Sequence, residues 1–289
     1  MLYIIYRIGQ FFATTLPVRF SFWFASRVAD IHFLLSKKDR VLVMGNLEHV
    51  LGSDRKKIRR VAREVLRNFG KYLVEFLRFS KMGDKYVEKH VKIEGAQNLR
   101  DALKQNKGAV LFSAHLGNWE WGGGLVSRLG IPIHAIAWAH KNKRVNDFFV
   151  AQRGSKGMGS IPLGGSIRTC MRLLAKNETI AILPDRDFSD NSIKVDFFGK
   201  PAYFPVGIGI LAIRAKCPLV PVFITRESGD KHKLTIERPI DYEITNNKEE
   251  DIKNVVQKTL NTIERYVAKY PDQWFMFHDP WAGNTAGSI

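Results

Sequence analysis

The 289-residue chain is 45% hydrophobic and 11% aromatic, and its 45 Lys and Arg against 28 Asp and Glu leave a formal net charge of +17. That apolar content can fill one large α/β domain or two small ones, which excludes a disordered chain. The charge favours an anionic partner (nucleic acid, acidic lipid headgroups or an acidic protein), and the two cysteines, Cys170 and Cys217, lie in apolar or helical context without metal-ligand spacing, which excludes a disulfide framework.

The first segment, MLYIIYRIGQFFATTLPVRFSFWFASRVADIHFLLS, is rich in aromatic and branched side chains but broken by Arg7, Arg19, Arg27 and Asp30. A signal peptide needs an unbroken apolar stretch and a small-residue cleavage site, which are lacking. A spanning helix needs about 18 apolar residues in a row, which are also lacking. Large apolar residues with spaced arginines suit helices lying in a membrane interface. Residues 53–79 then read as an amphipathic helix capped by Ser53 or Asp54. Ile58, Val61, Val65, Tyr72 and Phe76 recur with helical spacing, while Arg55, Lys56, Lys57, Arg59, Arg60, Arg63, Arg67 and Lys71 supply a positive face.

Beyond residue 108 short apolar runs alternate with helical patterns. Strands are predicted over 108–115, 131–138, 159–163, 178–185 and 218–227, and helices over 119–129, 143–153, 166–177, 206–217 and 248–269. Residues 194–204 read as a loop or short hairpin, and 231–241 as an edge strand. This alternation predicts an α/β fold with a largely parallel central sheet flanked by helices. The expected division is an N-terminal membrane-associated helical region over 1–80 and an α/β domain over 81–289. Sites in such sheets lie beyond the carboxyl ends of strands, and His115 and Asp185 each close a predicted strand.

The stretch SAHLGNWEWGGG (113–124) carries the chemistry. A histidine serves as general base near neutral pH when a second group fixes its tautomer, and a carboxylate does this in triads. His115 and Glu120 on one ideal helix would diverge by about 140°. They approach each other better if His115 ends the strand and Glu120 lies in the first turn of the next helix. Gly117 permits the turn, and the helix N-terminus can hold an anion. With no GxSxG elbow and Cys170 on a predicted helix, the simplest chemistry is direct: His115 deprotonates a hydroxyl, which attacks an activated acyl group. The glycines 122–124 are expected to let backbone approach closely at the reacting centre.

HLGNWE (115–120) resembles the HxxNWE form of the Hxxxx(D/E) motif of bacterial lipid A late acyltransferases, the lauroyl- and myristoyl-transferase-like members of the lysophospholipid acyltransferase superfamily. RVNDFFVAQRGSKGMGSIPL (144–163) is similar to the family's Asn/Arg/Gly segment, with Arg153 on the arginine position. The stretch 181–223 resembles its strand–Asp–FFG–Pro–helix segment, with Asp185 on the acidic position. YPDQWFMFHDPW (270–281) and MGNLEHV (44–50) resemble its closing and early Asn-Leu signatures. In place of the basic residues that often follow the final histidine, this chain has His278, Asp279, Pro280 and Trp281.

The resemblance implies an enzyme on the cytoplasmic face of the inner membrane, moving a fatty acyl chain from an acyl carrier protein or CoA thioester to a hydroxyl of a lipid A precursor. It implies no cofactor besides that acyl co-substrate, and no metal. His115 and Glu120 are then the catalytic base and its orienter, with Arg153, Asp185 and Asn118 as the substrate-binding set. Arg153 would stabilise an anion, either the developing oxyanion or a substrate phosphate, and Asp185 would hold the site's geometry, pairing with an arginine. Trp274, Phe275 and Phe277 are expected in the core, with the lining of an acyl groove as the second alternative. The same chemistry would serve a phosphatidylinositol mannoside, an aminolipid or a lysophospholipid as acceptor. A basic nucleic-acid-binding protein is the distant alternative, but the chain shows no RRM signature, zinc-finger spacing or helix-turn-helix.

Overall fold

A computed structural model describes residues 2–164, 167–186 and 191–282. Four helices come first: α1 (Leu2–Thr15), α2 (Val18–Leu35), α3 (Lys37–Leu51) and α4 (Arg55–Leu77). Asp54 caps α4 by accepting from the Lys56 and Lys57 backbone N–H groups. One face of α4 buries Ile58, Ala62, Val65, Leu66, Tyr72 and Phe76 at helical spacing, while Arg55 to Lys57, Arg59, Arg60 and Arg63 stay exposed. The outer faces of α1 and α2 are different. Most exposed large apolar side chains among the described residues lie there, including Ile4, Ile8, Phe11, Phe20, Trp23 and Phe24. Between α1, α2 and α4 runs an apolar groove of about 860 Å³. No described helix is long and apolar enough to cross a membrane.

The α/β layer follows, as α5 (Asp84–His90), β1 (Val91–Glu94), α6 (Ala96–Leu103), β2 (Ala109–Phe112), α7 (Trp119–Arg128), β3 (Ile133–Ala137), α8 (Lys143–Gly154), β4 (Met158–Pro162), α9 (Ile167–Leu174) and β5 (Thr179–Ile182). Next come the antiparallel hairpin β6 (Ser192–Phe197) and β7 (Lys200–Pro205), then α10 (Gly207–Ala215), β8 (Leu219–Ser228), β9 (Lys231–Ile236) and α11 (Lys248–Lys269). The main sheet has the order β1-β9-β8-β2-β5-β3-β4. Every pairing in it is parallel except β8 with β9.

The sheet is buried on both sides. Along β2, Val110 and Phe112 join one apolar cluster while Ala109 and Leu111 join another on the opposite face, as the strand's two-residue period requires. Val110, Leu111 and Phe112, so buried, each stabilise the fold by about 1.5–3 kcal/mol. The expected elements are found within a few residues. The helix expected from Ser166 begins in the described residues at Ile167, Ser166 itself lying outside them. Residues 283–289 of the expected α/β domain also lie outside them.

One expectation is corrected. The strand at 231–241 is not an edge, because β9 lies between β8 and β1. The reason is VKIE (91–94), four residues too short and too charged to stand out as a strand. They pair in parallel with β9 and become the edge themselves.

Candidate active site

The strand β2 stops at Phe112, so His115 stands in the turn between β2 and α7. Gly117 makes this turn, with φ of +63° and a Cα so close to β8 that an added Cβ would sit 1.8 Å from the Ile224 carbonyl oxygen. A closing strand-like segment locks the turn from the other side. The Gly117 N–H donates to the Gln273 carbonyl at 2.9 Å, and the Phe275 N–H to the His115 carbonyl at 2.7 Å. The Gln273 side chain in turn pairs with the Arg226 backbone, accepting at 2.8 Å and donating at 2.9 Å. Asn46, from the early signature, holds the same segment by donating to the Met276 and His278 carbonyls at 3.0 and 2.9 Å. The motifs at 44–50, 115–120 and 270–281 thus form one assembly.

His115 is paired with Asp185, at the carboxyl end of β5. His115 Nδ1 lies 2.7 Å from Asp185 Oδ1, the His115 backbone N–H donates to Oδ2 at 2.8 Å, and the Trp274 indole N–H donates to Oδ2 at 3.3 Å. Asp185 is 0% exposed. Burial pushes the Asp185 carboxyl up, but the His115 ring and backbone N–H and the charge of Arg186 outweigh this and hold it below the usual carboxylate range. Burial pushes His115 down from 6.5 against the pull of Asp185, with Arg186 adding to the depression. The imidazole is therefore neutral at pH 7. With Nδ1 committed to Asp185, Nε2 is the nitrogen left for the cavity.

Glu120 stands elsewhere in the same cavity. It lies in the first turn of α7, but its partner is Arg153 of α8. Arg153 Nε donates to Oε2 at 2.8 Å and to Oε1 at 3.1 Å, and Nη2 donates to Oε1 at 2.5 Å. The side chains are 7% and 11% exposed, so the charges neutralise each other out of water. Burial would lower Arg153, and the Glu120 charge raises it instead. The expected orienter and the expected geometry holder have exchanged partners: Asp185 meets the histidine and Glu120 meets the arginine. The reason is chain direction. His115 precedes α7 and faces the end of β5, whereas Glu120 is carried around the first turn towards α8.

Asn118, expected in the substrate-binding set, is 1% exposed. Its Oδ1 caps α7 by accepting from the Trp121 N–H at 3.1 Å, and its Nδ2 donates to Glu75 of α4 at 2.9 Å. Both ends of the Asn118 amide are thus engaged inside the protein, and Asn118 is not among the residues lining the cavity that His115 lines. Glu75 also takes a two-pronged pair from Arg226 at 2.7 and 2.8 Å. Burial would raise Glu75, yet Arg226 and His232 bring it down to about 2. Tyr72 of α4 stacks on Trp119, with ring centroids 4.4 Å apart. Nothing in the sequence pattern of α4 marked Glu75 among its charged neighbours, because only the fold shows which of them is buried.

A cavity of about 670 Å³ opens beside these groups. His115, Trp119, Glu120, Arg153 and Arg186 line it, together with the apolar Leu111, Val126, Ile133, Met158 and Ile224. Phe277 lines it as well, while Trp274 and Phe275 are buried. The glycines of α7 serve packing. A Cβ on Gly122 would come 3.1 Å from Ile224 Cγ2, and one on Gly123 would come 2.4 Å from Met158 Cε. They bring the helix down on the sheet, and both line the cavity, where a side chain would take up its space. Among the described residues no group of three or more His, Cys, Asp or Glu is placed to hold a metal.

The model of a family described as bacterial lipid A biosynthesis acyltransferase matches residues 1–282. The chain is 28% identical over 229 residues to a phosphatidylinositol mannoside acyltransferase of Mycolicibacterium smegmatis, covering 78% of this chain and 73% of that one. It is 27% identical over 230 residues to a protein of the same description from Mycobacterium tuberculosis, covering 77% and 71%. To a lipid A biosynthesis acyltransferase of Haemophilus influenzae it is 23% identical over 193 residues, covering 66% and 58%.

Proposed function

The chain belongs to the bacterial lipid A biosynthesis acyltransferase family, and from that premise we propose that it moves a fatty acyl chain from a thioester to a hydroxyl of a phosphate-bearing glycolipid at a membrane surface. The observation that carries this reading is the His115 ring lining a largely apolar cavity with Nδ1 on the buried Asp185 carboxylate. His115 Nε2 takes the proton of the acceptor hydroxyl, and the oxygen attacks the thioester carbonyl. Asp185 fixes the tautomer and supports the imidazolium that forms. The tetrahedral intermediate collapses, the C–S bond breaks, and the thiolate leaves with the proton from Nε2. The apolar cavity takes the acyl chain, as its lining and size suit.

The first reading of the acceptor is a lipid A precursor, after the family. The longer alignments with the mycobacterial proteins favour a phosphatidylinositol mannoside as a second reading. Either acceptor is anionic, as are acyl carrier protein, CoA and the inner membrane's cytoplasmic leaflet, and the +17 chain is drawn to each. The exposed apolar faces of α1 and α2 lie in the membrane interface on this reading.

The test is radiolabelled acyl transfer from acyl carrier protein and CoA thioesters, to each acceptor in anionic vesicles, with wild type and His115→Ala. Transfer that needs His115 supports the mechanism. Equal rates in both proteins, or no transfer from either donor to any glycolipid, would overturn it.

A further inference from the structure

Acyl transfer builds negative charge on the thioester carbonyl oxygen, and a buried site must offer that oxygen donors or a cation. Arg153 was the candidate from sequence, but its Nε and Nη2 are both spent on Glu120, whose charge cancels its own. A second arginine lines the same cavity. Arg186 directly follows Asp185, and its Nη2 donates to the Phe275 carbonyl, which fixes the guanidinium beside the His115 turn. No carboxylate hydrogen-bonds to it among the described residues. The oxygens of Asp185 are taken by the His115 ring, the His115 N–H and the Trp274 indole. Arg186 Nε is buried without a hydrogen-bond partner.

Ser113, two residues before His115, repeats the pattern. Its Oγ is buried without a partner, and the residue lines the cavity. A buried donor left unpaired costs about 1–3 kcal/mol. Such groups are few in folded proteins and call for an explanation. Here two of them belong to residues lining one cavity around one base.

Resting on the proposed acyl transfer, we propose that Arg186, with the Ser113 hydroxyl as second donor, binds the thioester carbonyl oxygen and stabilises the oxyanion formed there. The alkoxide adds to the carbonyl carbon, the C=O electron pair moves onto oxygen beside the guanidinium, and it returns as the C–S bond breaks. No further reactant is needed. The Arg186 charge has a second effect on the same reaction, since it depresses the basicity of His115. The groups acting on His115 in this respect are Asp185, Arg186 and Glu120, and His278 feels the charge of His115 in turn.

The experiment compares wild type, Arg186→Met, Arg186→Lys and Ser113→Ala with palmitoyl-CoA and a glycolipid acceptor, after thermal unfolding has shown the variants folded. Expected for Arg186→Met is a kcat loss of about 10²–10³-fold at unchanged KM for the thioester, partial recovery in Arg186→Lys, and a smaller kcat loss in Ser113→Ala. The acid limb of the pH profile should move to higher pH in Arg186→Met, because a positive charge that lowers His115 has gone. An unchanged kcat in Arg186→Met overturns the proposal, as does a rise in acceptor KM alone, which would make Arg186 a phosphate contact. Wild type failing to use any thioester would instead sink the acyl-transfer reading itself.

Discussion

The His115–Asp185 wall of the cavity and the Glu120–Arg153 wall are built alike, each with a carboxylate buried beside a basic side chain. They differ in what remains once the pair has formed. Asp185 engages only one ring nitrogen of His115 and leaves the other as an acceptor. Glu120 takes two nitrogens of Arg153 in a closed fork, and both charges are consumed. The first arrangement can exchange a proton with a substrate. The second is suited to hold α7 against α8 and to keep a local charge balance. A motif spacing cannot express this difference, because His115 and Glu120 are equally prominent in HLGNWE.

The largest effects should come from the first wall. His115→Ala and Asp185→Asn are each expected to lower kcat by about 10²–10⁴-fold with little change in the unfolding midpoint of His115→Ala, read by steady-state kinetics and calorimetry. A silent Asp185→Asn beside a dead, fully folded Glu120→Gln would reverse the roles given to the two walls. The second wall should answer in stability. Glu120→Leu leaves Arg153 buried and unpaired and is expected to cost about 3–5 kcal/mol in urea unfolding, most of it regained in Glu120→Leu/Arg153→Met. If the double variant is no better than the single, the pair is more than a closed neutral fork.

A smaller effect should come from the glycine lining of the cavity. Gly123→Val would crowd Met158 and shorten the space for an acyl chain. A preference for shorter acyl thioesters, by about 10-fold or more, is expected in competition assays. The smallest is a displacement along the pH axis. The base acts only when neutral, so activity is full above the His115 pKa and is lost as pH falls through it. Burial sets that pKa below 6.5, so the acid limb of kcat/KM should lie below pH 6.5. Asp185 raises His115, so the residual activity of Asp185→Asn should show a limb at still lower pH. A limb above 6.5 in wild type would mean that His115 is better solvated than its place in the turn indicates.

The sheet was legible because its strands are continuous apolar runs bounded by turn residues, as in GAVLF and TIAIL. Such a pattern survives whatever packs beside it. The amphipathic α4, a cap at Ser53 or Asp54 and the turn at Gly117 were legible for the same local reason. The short strand at 91–94 was not, since its pairing with β9 is supplied by distant chain and leaves little trace in four residues. Nor was the packing role of Gly122 and Gly123, which depends on where Ile224 and Met158 come to lie.

The sequence by itself determined the α/β layer, the ordered family motifs and the identity of His115 as the candidate base. Local hydrophobic period and residue type suffice for these. Only the tertiary structure decided who pairs with whom. Asp185 reaches His115 across 70 positions of chain, Trp274 joins them from the closing segment, Asn118 turns inward to Glu75, and Arg186 is left lining the cavity with no carboxylate hydrogen bond among the described residues. These are contacts between ends of separate strands and helices. Their geometry follows from sheet order and strand direction, which no stretch of adjacent residues encodes.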